Sequence, residues 1–188
     1  MYKRFGKRTL DILLSGVALL IFSPLMLLIA LAIRLEDGGP VLFRQVRVGR
    51  DRKPFTILKF RSMPIDTGDI PSAQARYVRI TRVGAFIRRT NIDELPQLIN
   101  IFRGDMSIVG PRPALPAQEE LCAMREAKGV FRCKPGLTGL AQINAYDGMP
   151  DAEKAAWDAQ YCSNVTFIGD LKIILDTFGY LLKPPPTY

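Results

Sequence analysis

From Ile12 to Ile33 the chain reads ILLSGVALLIFSPLMLLIALAI, 22 consecutive positions without a charge. At about 1.5 Å per residue a straight helix of that run reaches roughly the thickness of a bilayer's hydrocarbon core. Lys3, Arg4, Lys7 and Arg8 precede it, and Arg34, Arg44, Arg47, Arg50, Arg52 and Lys53 follow. Basic flanks mark the cytoplasmic side of a membrane segment, so both ends claim the same face. Ser23-Pro24 sits in mid-run, where proline deletes a helical N–H and crowds the preceding turn. The pattern predicts a re-entrant helix-break-helix over residues 1–35, with the Ser23 hydroxyl serving the freed backbone. A kinked single-pass anchor is the alternative. A secretory signal fits less well, because the run is long and no A-x-A-like site follows it.

Residues 36–188 are expected to form one cytoplasmic, membrane-associated domain. "VLFRQVRV" (41–48) and "PFTILKFR" (54–61) are β-rich runs joined by polar "GRDRK", which predicts a hairpin. "SMPIDTGDIPSAQ" reads as a loop. In 77–87, Tyr77, Ile80, Val83, Gly84 and Ile87 share a helical face, with Arg79, Arg82, Arg88 and Arg89 off it. Such a basic amphipathic helix suits a membrane surface or phosphate, or else a solvated face over a core stripe. Leu95, Leu98, Ile99 and Phe102 repeat at helical spacing, and Gly104 is a natural stop. "DMSIVGPRPALP" (105–116) and "KPGLTGLAQINAYDG" (134–148) read as irregular loops. The first holds Arg112 between two prolines, a stiffened mount for one guanidinium. Helices are expected at 151–163 and 167–182, the latter with an apolar stripe of Phe167, Leu171, Ile174, Phe178 and Leu181, and "KPPPTY" as a tail. The fold class predicted is α+β, predominantly α-helical: a monotopic membrane protein with a small β-hairpin.

Charge narrows the chemistry. Net charge is +8, which favours anionic partners: nucleic acid, phospholipid or a phosphorylated small molecule. Histidine is absent, which removes the commonest general base, serine-type triads and His-based metal sites. Cys122, Cys133 and Cys162 are odd in number and lack CxxC spacing, so they read as packing residues in a reducing compartment. Chemistry falls to carboxylates, Lys and Arg, and a hard, oxygen-loving cation.

The carboxylates that stand out are Asp93 and Glu94 in "NIDELPQL" (91–98). Acids opening a helix are ordinarily caps, favoured by the macrodipole and the free N–H groups, and Asp93 as N-cap would place Pro96 harmlessly in the first turn. The chemical alternative is a nucleophile beside a metal- or water-orienting acid, near phosphate drawn by a helix terminus and arginines. Mg²⁺ accepts carboxylate and phosphate oxygens, so it suits that second reading.

"KRTLDILLS" with its mid-segment Ser-Pro, "ILKFRSM", "DELPQLINIFRGDMSIVGPRP" and "KPGLTGLAQIN" occur in an order and spacing similar to the bacterial monotopic phosphoglycosyl transferases. The chain resembles the small, single-catalytic-domain kind typified by the bacillosamine-type transferase of N-glycosylation, over nearly its whole length. That resemblance implies transfer of a sugar 1-phosphate from a UDP-sugar to undecaprenyl phosphate, with UMP released. It implies Asp93 as nucleophile, Glu94 as metal or proton partner, and Mg²⁺ at Asp93 and Glu94. It also implies Lys59, Arg88 and Arg112 as phosphate binders, with Asp170 of "GDLKI" as a further site residue. The location implied is the cytoplasmic face of the bacterial inner membrane, inserted in one leaflet, with membrane lipids as partners. Asn91-Ile92 replaces the usual Ser-Leu, and Ala145-Tyr146 stands where Gly and Arg are common, which bears on donor-sugar specificity. A nucleic-acid binder lacks the expected aromatic interleaving and signatures, so no nucleic-acid partner is expected. A surface-bound scaffold leaves the acid pair unexplained.

Overall fold

The computed structural model describes residues 2, 6–64, 67, 80–146 and 148–181. Lys3, Arg4, Tyr77, Arg79, most of the 62–74 loop and the tail lie outside them. Helix α1 (Lys7–Asp37) contains the whole apolar run. The expected interruption at Ser23-Pro24 is not seen; the helical pattern continues with Pro24 inside it. Local chemistry accounts for this. Pro24 has no N–H to offer the Leu20 carbonyl, and the Ser23 hydroxyl donates to that oxygen instead, at 2.9 Å.

Strands β1 (Leu42–Val48) and β2 (Pro54–Phe60) form the antiparallel hairpin, with Phe43 opposite Lys59. Helix α2 (Arg82–Arg89) is shorter than expected, because Thr81 caps it by accepting from the Gly84 N–H. Helix α3 (Gln97–Arg103) follows and stops at Gly104, whose φ of 100° is left-handed. Both expected loops then supply short strands: β3 (Ser107–Val109) and β4 (Gly136–Thr138) pair in parallel. Their backbones approach too closely for side chains, since a Cβ on Gly136 would lie 2.1 Å from the Gly110 nitrogen. The glycines of "GPRP" and "KPGLTG" are thus a packing requirement. Helices α4 (Glu119–Ala127), α5 (Leu140–Ile143), α6 (Asp151–Ser163) and α7 (Phe167–Leu181) complete a mostly helical chain.

Both ends of α1 are tied to the same folded body. Near its start, Arg8 donates to the Ile101 and Phe102 carbonyls at the end of α3, and Asp11 accepts from Ser107 and the Ile108 N–H. At its finish, Asp37 pairs with Arg61, while Glu36 accepts from the first two N–H groups of α2. Between the ends, Ala18 and Leu19 pack on Ile57, Leu98, Ile101 and Met106, and Ile29 and Ile33 on Phe60 and Ile87. Leu13, Val17, Leu20, Leu27, Leu28, Leu31 and Leu35 form an exposed face.

The buried faces of α3 and α7 differ from those the apolar spacing suggested. In α3, Gln97, Leu98, Asn100 and Ile101 are buried, whereas Phe102 is exposed beside Gly16. In α7, Asp170 and Ile173 turn inward, while Phe167, Leu171 and Phe178 face out. An apolar stripe marks a face of a helix without saying that the core covers it.

Candidate active site

Three elements converge on one carboxylate oxygen. Lys59, on β2, donates from Nζ to Glu94 Oε1 at 2.7 Å, and Arg112 Nη2 reaches the same oxygen at 2.8 Å. Glu94 belongs to a single 3₁₀ turn, Ile92–Glu94, between α2 and α3. That turn opens on Asn91 in the left-handed region at φ 55°, which asparagine tolerates better than most residues. Asn100 fixes α3 against the strand: its Oδ1 accepts from the Leu58 N–H and its Nδ2 donates to the Thr56 carbonyl. Those two bonds bracket Ile57, and Leu58 is the residue before Lys59, so α3 is held in register with the strand just ahead of Lys59. Asn100 was not anticipated from sequence; its only signal is a polar residue amid the apolar spacing of α3.

Asp93 has no hydrogen bond or ion pair among the described residues. Nor does it cap α3, which starts at Gln97 with Pro96 as N-cap. Burial pushes its carboxyl up to about 6; Lys59 opposes, the Glu94 charge adds to the rise, and Arg112 and then Arg88 oppose more weakly. Arg88, in the last turn of α2, therefore acts on Asp93 through its field. Burial also pushes Glu94 up, but the charges and hydrogen bonds of Arg112 and Lys59 outweigh it and hold Glu94 well below the usual carboxylate range. Two neighbouring acids thus carry opposite shifts: one pinned as an anion, the other costly to ionise and without a hydrogen-bond partner among the described residues. Such divergence is a frequent mark of a working site.

Asp170 is placed elsewhere. It is 1% exposed, and its Oδ2 accepts from Tyr2 and Lys7, each at 2.6 Å. The Tyr161 hydroxyl lies 2.8 Å from its Oδ1 and 3.0 Å from the Val109 carbonyl, sharing one proton between them. Asp170 makes no contact with Lys59, Asp93, Glu94 or Arg112 among the described residues; it joins the start of α1 to α6. Ser23 and Pro24 sit within α1, serving the helix as described. No group of three His, Cys, Asp or Glu side chains with metal-ligand geometry occurs among the described residues.

Arg112 is 49% exposed. An ion pair so open to water is worth at most about 1 kcal/mol, too little to hold a loop in place. The loop is fixed through its carbonyls instead. Those of Pro111, Arg112, Pro113 and Ala114 accept in turn from the Gly136 N–H, Arg125, Arg47 and the Val48 N–H. Prolines at 111 and 113 have no N–H to give, so the acceptors do this work.

An apolar anchor helix joined to a carboxylate pair framed by lysine and arginine defines a membrane-associated enzyme. The chain belongs to the bacterial sugar transferase family, whose profile matches residues 2–184. It is 43% identical over 191 residues to the UDP-glucose:undecaprenyl-phosphate glucose-1-phosphate transferase of Caulobacter vibrioides, covering 97% of this chain and 72% of that one. The protein of the same name from Escherichia coli is 42% identical over 183 residues, spanning 93% of this chain and 39% of the relative. The exopolysaccharide production protein ExoY of Rhizobium meliloti is 40% identical over 192 residues, or 92% of this chain and 83% of its own length.

The shift at Asp93 predicts a pH signature. Its folded value of about 6 lies above the ordinary 3.8, so ionised Asp93 costs stability. That cost is absent below about 3.8, grows as pH rises to about 6, and is complete above it. Asp93→Asn should therefore melt above the parent at pH 8 and lose that advantage as pH falls to 4. A pH-independent difference in melting temperature would show that the carboxylate does not feel its burial.

Proposed function

We propose that this protein transfers a sugar 1-phosphate from a UDP-sugar to undecaprenyl phosphate, giving undecaprenyl-diphosphate-sugar and UMP. The observation that carries the reading is the partly buried Asp93 carboxylate, unpartnered among the described residues, beside the Lys59–Glu94–Arg112 cluster. Relatives matching nearly the whole chain and named for such a transfer support it.

In the first half-reaction an Asp93 oxygen attacks the β-phosphorus. The bond from that phosphorus to the bridging oxygen breaks, UMP leaves with the electron pair, and an aspartyl-phosphosugar remains. In the second, an oxygen of undecaprenyl phosphate attacks the same phosphorus and the acyl-phosphate bond breaks, regenerating the carboxylate. Lys59, Arg88 and Arg112 balance the charge of the pyrophosphate and of the departing phosphate. Glu94 fits a hard cation: Oε1 is taken by Lys59 and Arg112, and Oε2 has no partner among the described residues. With Asp93 it supplies two carboxylate oxygens, a donor set that suits Mg²⁺ alongside substrate phosphate. When bound, Mg²⁺ would neutralise phosphate charge. Glu94 would keep Asp93, Lys59 and Arg112 in mutual register throughout.

The same reading places α1 in one leaflet at the cytoplasmic face, entering and returning with a bend at Ser23-Pro24. Ties from both its ends to one folded body support this, as do basic flanks on either side.

Incubation with a panel of UDP-sugars and undecaprenyl phosphate should release UMP, with UDP-glucose the first donor to try. Release should be lost in excess EDTA and restored by Mg²⁺ but poorly by Zn²⁺. No UMP from any donor would remove the transferase reading, and full activity in EDTA would remove the metal. For the anchor, single cysteines introduced near residues 6 and 40 should label from the cytoplasmic side only. Replacing Ser23 and Pro24 by Ala and Leu should move part of the population into a spanning form. Opposite-side labelling of the parent would exclude the one-leaflet placement.

A further inference from the structure

We propose that Arg125, buried in α4, is a positioning residue for the reaction. It ties the Arg112 carbonyl to Asp158 of α6, so that the Arg112 guanidinium stays directed at Glu94. The inference rests on the role given to Arg112 above.

Arg125 is 4% exposed and Asp158 1%. Arg125 Nε and Nη2 donate to Asp158 Oδ2 at 2.9 and 2.6 Å, which fixes the plane of the guanidinium. Its remaining arm, Nη1, donates to the Arg112 carbonyl at 2.9 Å. Arginine presents donors on separate edges of one rigid plane, so it alone among cationic side chains serves both partners in fixed geometry. Of the four successive carbonyls that hold the loop, residue 112's is met by a side chain locked in a buried ion pair. The adjacent ones take backbone N–H groups and the partly exposed Arg47. The bearing on chemistry is direct: the anchored carbonyl and the guanidinium meeting Glu94 belong to the same residue. Loss of the anchor frees the one residue whose orientation the half-exposed ion pair cannot hold. α4 and α6 thereby brace the site from outside it, without touching Asp93 or Glu94.

A double-mutant cycle tests this. Arg125→Met with Asp158→Leu removes the anchor without stranding a buried charge. In the parent it should lower kcat/KM for the UDP-sugar by about tenfold or more, as small misplacements of binding groups do. In an Arg112→Met background the same pair should cause little further loss. Melting temperatures of all four proteins are measured alongside. If the doubly replaced protein does not fold, Arg125→Lys is run through the same two backgrounds; it keeps a cation for Asp158 but surrenders the second arm. Equal fold-losses in both backgrounds would overturn the positioning role and leave a stability role only. Undiminished activity of Arg112→Met alone would instead overturn the assignment of Arg112, and the inference with it.

Discussion

Glu94 Oε1 takes a hydrogen bond from Lys59 on a strand and another from Arg112 on a proline-stiffened loop, and each donor is held by different parts of the chain. A carboxylate that accepts two cationic donors needs both at hydrogen-bond distance at once, which constrains β2, the 3₁₀ turn and the loop after β3 to a single arrangement. Much of the rest reads as support for it. Asn100 bonds the strand backbone at Thr56 and Leu58, just ahead of Lys59, the glycine-on-glycine approach of β3 and β4 sets where the loop departs, and Arg125 and Arg47 hold its carbonyls. With two cationic donors on Oε1, Glu94 stays an anion, and the neighbouring Asp93 is left with burial opposing its own ionisation.

The anchor helix is part of the same construction. Ala18 and Leu19 pack on the cluster containing Ile57 and Leu98, one from the Lys59 strand and one from the helix behind Glu94. Glu36 caps α2, which carries Arg88, and Asp37 pairs with Arg61 at the end of β2. Asp170, unlike the other acids singled out in the sequence, serves this attachment: Lys7 and Tyr2 reach it from the start of the chain. The long apolar helix and the carboxylate cluster thus share a core, which suits the proposed transfer from a soluble donor to an acceptor in the membrane.

The sequence made the local elements legible where period and punctuation agree. The hairpin follows from two β-rich runs around a polar turn, and α6 and α7 were placed to within a residue or so. The parallel β3–β4 pair was not legible, because two three-residue strands, Ser-Ile-Val and Gly-Leu-Thr, are too short to carry an alternation to detect. Phe102 and the stripe of α7 misled for another reason: hydrophobic periodicity marks an apolar face, and here Phe102, Phe167, Leu171 and Phe178 are exposed instead of buried. The acid pair was visible in the sequence and the family resemblance implied separate roles for its members; the capping alternative fails in the structure, since Leu95 and Pro96 intervene before α3 and no cap is made. Asn100, Arg125 and Asp158 were invisible as positioning groups, because a buried polar residue looks like a surface one until its partners are known.

The proposed chemistry depends on Asp93 as the covalent nucleophile. Incubation with a UDP-sugar alone, quenched at low pH and read by intact-protein and peptide mass spectrometry, tests this most directly. A covalent Asp93 nucleophile should give up to one UMP per protein and a mass gain of one sugar-phosphate on the peptide carrying Asp93, and neither in Asp93→Asn. An adduct on a different residue, or an Asp93→Asn protein with near-parental turnover, would contradict it.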